Sequence, residues 1–173
     1  MLAYLFWHWP NAPGIDVAAY ERAQAAFHER LAEAPPAGFL RSWSYRVTNA
    51  PWLKVDNAYE DWYLLASSAA LDPLNEAAVA PPVGAAHDRA AAGAAGMGGL
   101  YRLHSGEPNP AGGNAVWFHK PAGLSYRELY AAIAPGATLW RRQMVLGPGP
   151  EFLVEGGPAP AQVTPITVER TLR

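Results

Sequence analysis

Twice in this chain a run of bulky aromatic residues leads through a histidine into a proline, and each time a glycine-bearing turn and a helical pattern follow. The first run is Phe6-Trp7-His8-Trp9-Pro10 and the second, 111 residues on, is Trp117-Phe118-His119-Lys120-Pro121. Bulky apolar residues in so short an unbroken run fit a strand buried on both faces. Proline closes such a strand because it has no N–H to give to a ladder. A strand–turn–helix unit that recurs in this way restricts the fold to two similar halves, with Trp43 on a later strand matched by Trp140.

The elements between the repeats extend that reading. Leu2–Trp9 is the first strand. Asp16 is placed to cap a helix from Val17 to Glu33, whose apolar face is Tyr20, Ala23, Phe27 and Leu31. Pro35-Pro36 stops it. Strands are expected over Phe39–Val47 and Tyr59–Ala66, joined by a loop that carries Trp52. A second helix opens at Ser67 or Ser68, breaks at Pro81-Pro82 and continues through the alanines to Ala95; Leu100–His104 returns as a strand. The order β-α-β-β-α-β is that of the ferredoxin-like split unit. Residues 105–114 are polar and rich in Gly and Pro, and read as a linker between a first half (1–104) and a degenerate second half (115–173) that lacks the long second helix. In that second half, strands are expected at 115–121, 138–146, 151–154 and 166–172, and a helix at 125–133.

Tyr59-Glu60-Asp61-Trp62-Tyr63, followed by Ser67-Ser68-Ala69-Ala70-Leu71, resembles the third strand and following helix of the dimeric α+β barrel superfamily. That resemblance implies an α+β fold of antiparallel ferredoxin-like sheets with helices on one face. The two repeated halves then either form a barrel within one chain or contribute to one in a homodimer. The superfamily holds cofactor-free monooxygenases, haem proteins, isomerases and polyketide cyclases, so the fold alone does not choose an activity. What it implies here is a small-molecule-binding protein or a cofactor-independent oxygenase, isomerase or cyclase acting on a small aromatic or polyketide-like ligand. The alternatives are a haem- or ligand-binding protein without turnover and a structural domain with no active site.

Composition removes several classes. With 13 Lys and Arg against 15 Asp and Glu, the chain has no basic footprint for nucleic acid or a membrane surface. The absence of cysteine excludes disulfides, iron–sulfur clusters and thiol catalysis. No window approaches the ~20 apolar residues of a membrane span. The apolar start lacks a basic leader, so a cytoplasmic, bacterial-type protein is expected. The cofactor stays open. No His-Glu-x-x-His or paired-histidine spacing marks a metal site, and His28, His87 and His104 are scattered, His87 on a helix face expected to be solvated.

The candidate catalytic residues are His8, Glu60 and Asp61. A histidine at a strand end titrates near neutrality and suits proton transfer, and carboxylates set into an apolar strand are placed for acid–base work. Each has a plainer reading, the histidine as a hydrogen-bonded junction and the carboxylates as arginine partners. The candidate ligand-binding residues are Phe6, Arg41, Trp43, Tyr45, Tyr63 and His119. The faces Tyr4/Phe6/His8, Arg41/Trp43/Tyr45 and Tyr59/Asp61/Tyr63, if they line one side, form an aromatic cavity with a few polar groups. The repeat sets His8 and His119 in equivalent structural positions.

Overall fold

A computed structural model describes residues 1–173. The first half runs β1 (Leu2–Pro10), α1 (Val17–Glu33), β2 (Phe39–Thr48), β3 (Asn57–Leu65), α2 (Leu71–Val79), α3 (Gly84–Ala91) and β4 (Ala94–Ser105). The second runs β5 (Gly113–Phe118), α4 (Tyr126–Ala131), β6 (Thr138–Arg142), β7 (Phe152–Glu155) and β8 (Ile166–Leu172). The eight strands close into one antiparallel barrel in the order β1-β3-β2-β8-β5-β7-β6-β4. Four helices accompany them, giving an α+β fold whose barrel is complete within a single chain. The seams between the halves are β2 with β8 and β4 with β6.

Local chemistry sets the helix ends. Asp16 accepts from the Ala18 N–H at 2.9 Å, and Ser125 with Glu128 forms a reciprocal capping box on α4. One expectation changes. β4 begins at Ala94, where a helix to Ala95 and a strand only from Leu100 were expected, because Ala94–Gly99 pair with Leu5–Pro10 of β1. The glycines there permit a close approach. A Cβ at Gly96 would stand 2.5 Å from the Phe6 ring, and one at Gly98 would stand 2.7 Å from the Tyr4 ring. These two glycines let both aromatic rings spread over β4.

Period-2 alternation sorts the side chains into three packed regions. The barrel interior is tryptophan-rich: Trp7, Trp43, Trp62, Trp117 and Trp140 pack with Tyr45, Tyr101 and small aliphatics from both halves. The outer face of the first half packs Leu2, Tyr63, Leu65 and Leu100 under Phe27 and Leu31 of α1, Leu74 of α2 and Ala86 and Ala90 of α3. The outer face of the second half is a separate cluster of Phe118, Leu129, Leu139, Phe152 and Val154.

Inside the barrel lies a buried ionic bridge. Arg170 of β8 comes within 2.6 Å of Glu60 of β3 and 2.6 Å of Glu155 of β7. The indole N–H groups of Trp7 and Trp62 donate to Glu60, and that of Trp140 donates to Glu155. Burial pushes the Glu155 carboxyl up against the opposing pull of Arg170 and Trp140. Burial also works against the Arg170 charge, and its two carboxylate partners more than restore it.

Candidate functional site

Between the outer face of the first-half strands and helices α1–α3 lies a cavity of about 480 Å3, within the range of small-ligand sites. Its wall on the sheet side is Tyr4, Phe6 and His8 of β1 with Asp61 and Tyr63 of β3. Antiparallel register brings these together, because Phe6 stands opposite Asp61 and Tyr4 opposite Tyr63. Phe27, Leu74 and Ala90 cover it from the helices, and Asp72, Asn75 and His87 add polar groups to the lining.

The polar centre is Asp61, 1 % exposed, held between two histidines. His8 Nε2 is 3.2 Å from Oδ1 and His28 Nε2 is 3.4 Å from Oδ2. The Tyr63 hydroxyl donates to Oδ2 at 2.9 Å. Both histidines are fixed on their other nitrogen: His8 Nδ1 lies 2.5 Å from the Tyr20 hydroxyl, and His28 Nδ1 lies 2.7 Å from Ser42 Oγ. Their rings are stacked as well, His8 on Tyr59 at 5.3 Å and His28 on Tyr63 at 5.3 Å between centroids. His8 Nε2 and Asp61 Oδ1 thus face one another at a buried contact, and both residues line the cavity.

Electrostatics gives these groups distinct roles. Burial alone would raise the Asp61 carboxyl, but the charges and hydrogen bonds of His8 and His28 outweigh it and hold the group well below the usual carboxylate range. Asp61 is thus an anion at neutral pH. Burial, followed by the Asp61 charge, raises the hydroxyls of Tyr4, Tyr20 and Tyr63, so all three keep their protons. Because the folded Asp61 carboxyl lies below its unfolded counterpart, its stabilisation is complete above the ordinary carboxylate range and is lost as pH falls through and below it. The stability difference between the parent chain and Asp61→Asn, measured by denaturation at a series of pH values, is expected to be largest above about pH 5 and to shrink below about pH 4. A difference that stays constant down to pH 2 or so contradicts an ionised Asp61.

The structure brings together His8, Asp61, Phe6 and Tyr63 of the residues singled out from sequence. Glu60, Trp43 and Tyr45 do not reach the cavity, because their strand positions face the barrel interior. Arg41 is exposed, lies over Trp43 and donates to the Pro108 carbonyl. On β2 it is Ser42, Ser44 and Arg46 that share the Asp61 side.

His119 is exposed, one residue past the end of β5, and so is not the structural equivalent of His8. Trp7 and Trp117 both face inward, which sets these two strands in step at an even offset. The odd offset that matches the two histidines is one residue out of step, and a one-residue slip exchanges the two faces of a strand. Phe118, not His119, carries the outward face beside Trp117, and it belongs to the apolar cluster that fills the second half.

Tyr20, Gln24 and His28 were missed, although they recur at four-residue steps along α1 and such steps share one helix face. Gln24 anchors α3 by donating to the Ala90 carbonyl at 2.8 Å. His87, expected in solvent, lies against Phe27 and lines the cavity. No group of three or more His, Asp or Glu side chains is arranged to hold a metal ion. Comparisons with protein families, curated proteins and solved structures find no match to this chain.

Proposed function

We propose that the chain is a cofactor-independent acid–base enzyme that binds a small aromatic, polyketide-like molecule between the first-half sheet and its helices. The observation that carries this reading is the buried His8–Asp61 pair, Nε2 3.2 Å from Oδ1, on side chains that line a largely apolar cavity. Strongly organised titratable groups beside a cleft are the usual signature of a reaction site. We also read the barrel as two ferredoxin-like units facing each other. The strand orders β4-β1-β3-β2 and β8-β5-β7-β6 support that reading, each being the split-unit arrangement.

In the proposed chemistry His8 exchanges one proton at Nε2 with a carbonyl oxygen of the bound molecule while water exchanges one with the enolisable carbon. The protonated ring, beside ionised Asp61, gives its proton to the carbonyl oxygen as water takes a proton from that carbon, leaving the neutral enol; the reverse step returns the hydroxyl proton to His8 and a proton from solvent to the carbon. Asp61 stays ionised and offsets the imidazolium charge. Nδ1–H donates to the Tyr20 hydroxyl in both states, because only the Nε2 proton is exchanged.

Anthrone, a neutral ketone that exchanges its methylene protons through its enol, tests this. The parent chain is expected to accelerate deuterium incorporation into anthrone in heavy water, followed by NMR, and His8→Gln to lose about 10²–10⁴-fold of that acceleration. No acceleration, with a melting temperature that still rises on adding anthrone, supports ligand binding without turnover instead.

A further inference from the structure

The buried polar side chains that line the cavity already have partners in the protein. His8 and Asp61 face each other, the Tyr63 hydroxyl donates to Asp61, and Gln24 donates to the Ala90 carbonyl. Asp72 and Asn75 stand exposed on α2, and His87 is half-buried against Phe27. Tyr4 is the exception on the sheet wall. Its hydroxyl makes no hydrogen bond within the protein and is not closed off from solvent.

The ring that carries this hydroxyl is fixed in place. It stacks on Tyr63 at 5.9 Å between centroids and lies 6.3 Å from Phe6. It also lies over β4 where Gly98 has no side chain: a Cβ there would stand 2.7 Å from the ring and 2.8 Å from the hydroxyl oxygen. Burial and the Asp61 charge keep the hydroxyl protonated, so it presents a donor. A donor held still before the ligand arrives loses little freedom on binding. Tyr4 and His8 share one strand face with Phe6 between them, about 13 Å apart along the strand. The free hydroxyl therefore lies at the other end of the cavity wall from the His8–Asp61 pair.

Filling an apolar cavity removes water from its walls. A molecule that brings an oxygen to Tyr4 replaces the bond to water there, and one that does not leaves the hydroxyl unpaired. We propose that Tyr4 anchors the ligand, its hydroxyl donating to an oxygen of the bound molecule beside Gly98, and that the cavity thereby selects aromatic ring systems with an acceptor oxygen at the Tyr4 end. This rests on the cavity being the ligand site and not on the proton exchange at His8.

The test is equilibrium dialysis of the full chain with naphthol and naphthalene, which share a ring system and differ by one oxygen. Tyr4→Phe is expected to weaken naphthol about tenfold, the scale of one hydrogen bond, and naphthalene less than about twofold. The denaturation midpoint of the free chain is expected to stay where it is, because the lost hydroxyl has no partner in the protein. Equal weakening of both molecules, or a lowered midpoint, gives Tyr4 a packing role only and overturns the anchor. Naphthol held as tightly by Tyr4→Phe as by the parent also overturns it and leaves the cavity as the site. If neither molecule binds the parent chain, the reading of the cavity as a ligand site falls with it.

Discussion

Arg170→Met is expected to lower the free energy of unfolding by about 3–5 kcal/mol, because it removes the shared partner of two buried carboxylates. Glu60 keeps the indole N–H groups of Trp7 and Trp62, but Glu155 keeps only that of Trp140. Neither retains an opposing charge inside a barrel packed with rings. The bridge also joins the two halves, since Glu60 belongs to β3 of the first and Glu155 to β7 of the second, while β8 pairs with β2 and β5. Chemical denaturation gives the number directly. The triple variant Glu60→Gln/Glu155→Gln/Arg170→Met, which removes all three charges together, is expected to regain most of the loss. An Arg170→Met chain as stable as its parent means that the bridge contributes nothing.

Asp61→Leu is expected to cost more than about 3 kcal/mol. The substitution keeps the branched shape of the side chain, with bulkier methyl ends, but removes the common acceptor of three groups: His8 Nε2, His28 Nε2 and the Tyr63 hydroxyl. Each buried donor left without a partner costs about 1–3 kcal/mol. The Tyr63 share is separable. Tyr63→Phe alone is expected to cost about 1 kcal/mol, and in the Asp61→Leu background close to nothing or a gain, because its hydroxyl then has no acceptor to lose. A double-mutant cycle on denaturation midpoints reads that coupling. Additive costs place Tyr63 outside the cluster. A loss below about 1 kcal/mol for Asp61→Leu itself shows that the histidines never depended on the carboxylate.

How much of this was legible in the sequence depends on which link of the chain is asked for. The strands and α1 follow from local signals: the bulky runs closed by Pro10 and Pro121, the Asp16 cap and the Pro35-Pro36 stop. His8 and Asp61 were visible because polar residues inside apolar strands are conspicuous. What sequence does not carry is which side of a strand becomes the interior. Trp43 and Tyr45 look as much like a ligand wall as Phe6 and Tyr63 do, and only register and barrel closure separate them.

Glu60 and Asp61 illustrate the same point as neighbours in one strand. The first is buried against Arg170 in a structural bridge, and the second faces the cavity. Alternation put them on opposite faces, but the arginine that distinguishes them comes 110 residues later, from β8. Residues 94–99 were misread because alanine and glycine carry little strand signal. Their pairing with β1 comes instead from the Phe6 and Tyr4 rings, which need a partner strand without side chains on that face. Of the Tyr20–Gln24–His28 line the apolar face of α1 includes only Tyr20, because a pattern of apolar residues passes over the polar side chains at the next two steps.

At the outer face of the second half Phe118, Leu139, Phe152 and Val154 pack into an apolar cluster. The outer face of the first half carries a cavity with a buried His–Asp–His cluster at its wall. The central claim is that this cavity is where the chain meets its small molecule. A crystal structure of the chain with naphthol tests it most directly. The account predicts the ring between Phe6, Tyr63 and Phe27, against the wall that carries the His8–Asp61 pair. A naphthol ring seated in the barrel interior or on the second half, with His8 and Asp61 left as they are in the free chain, contradicts it.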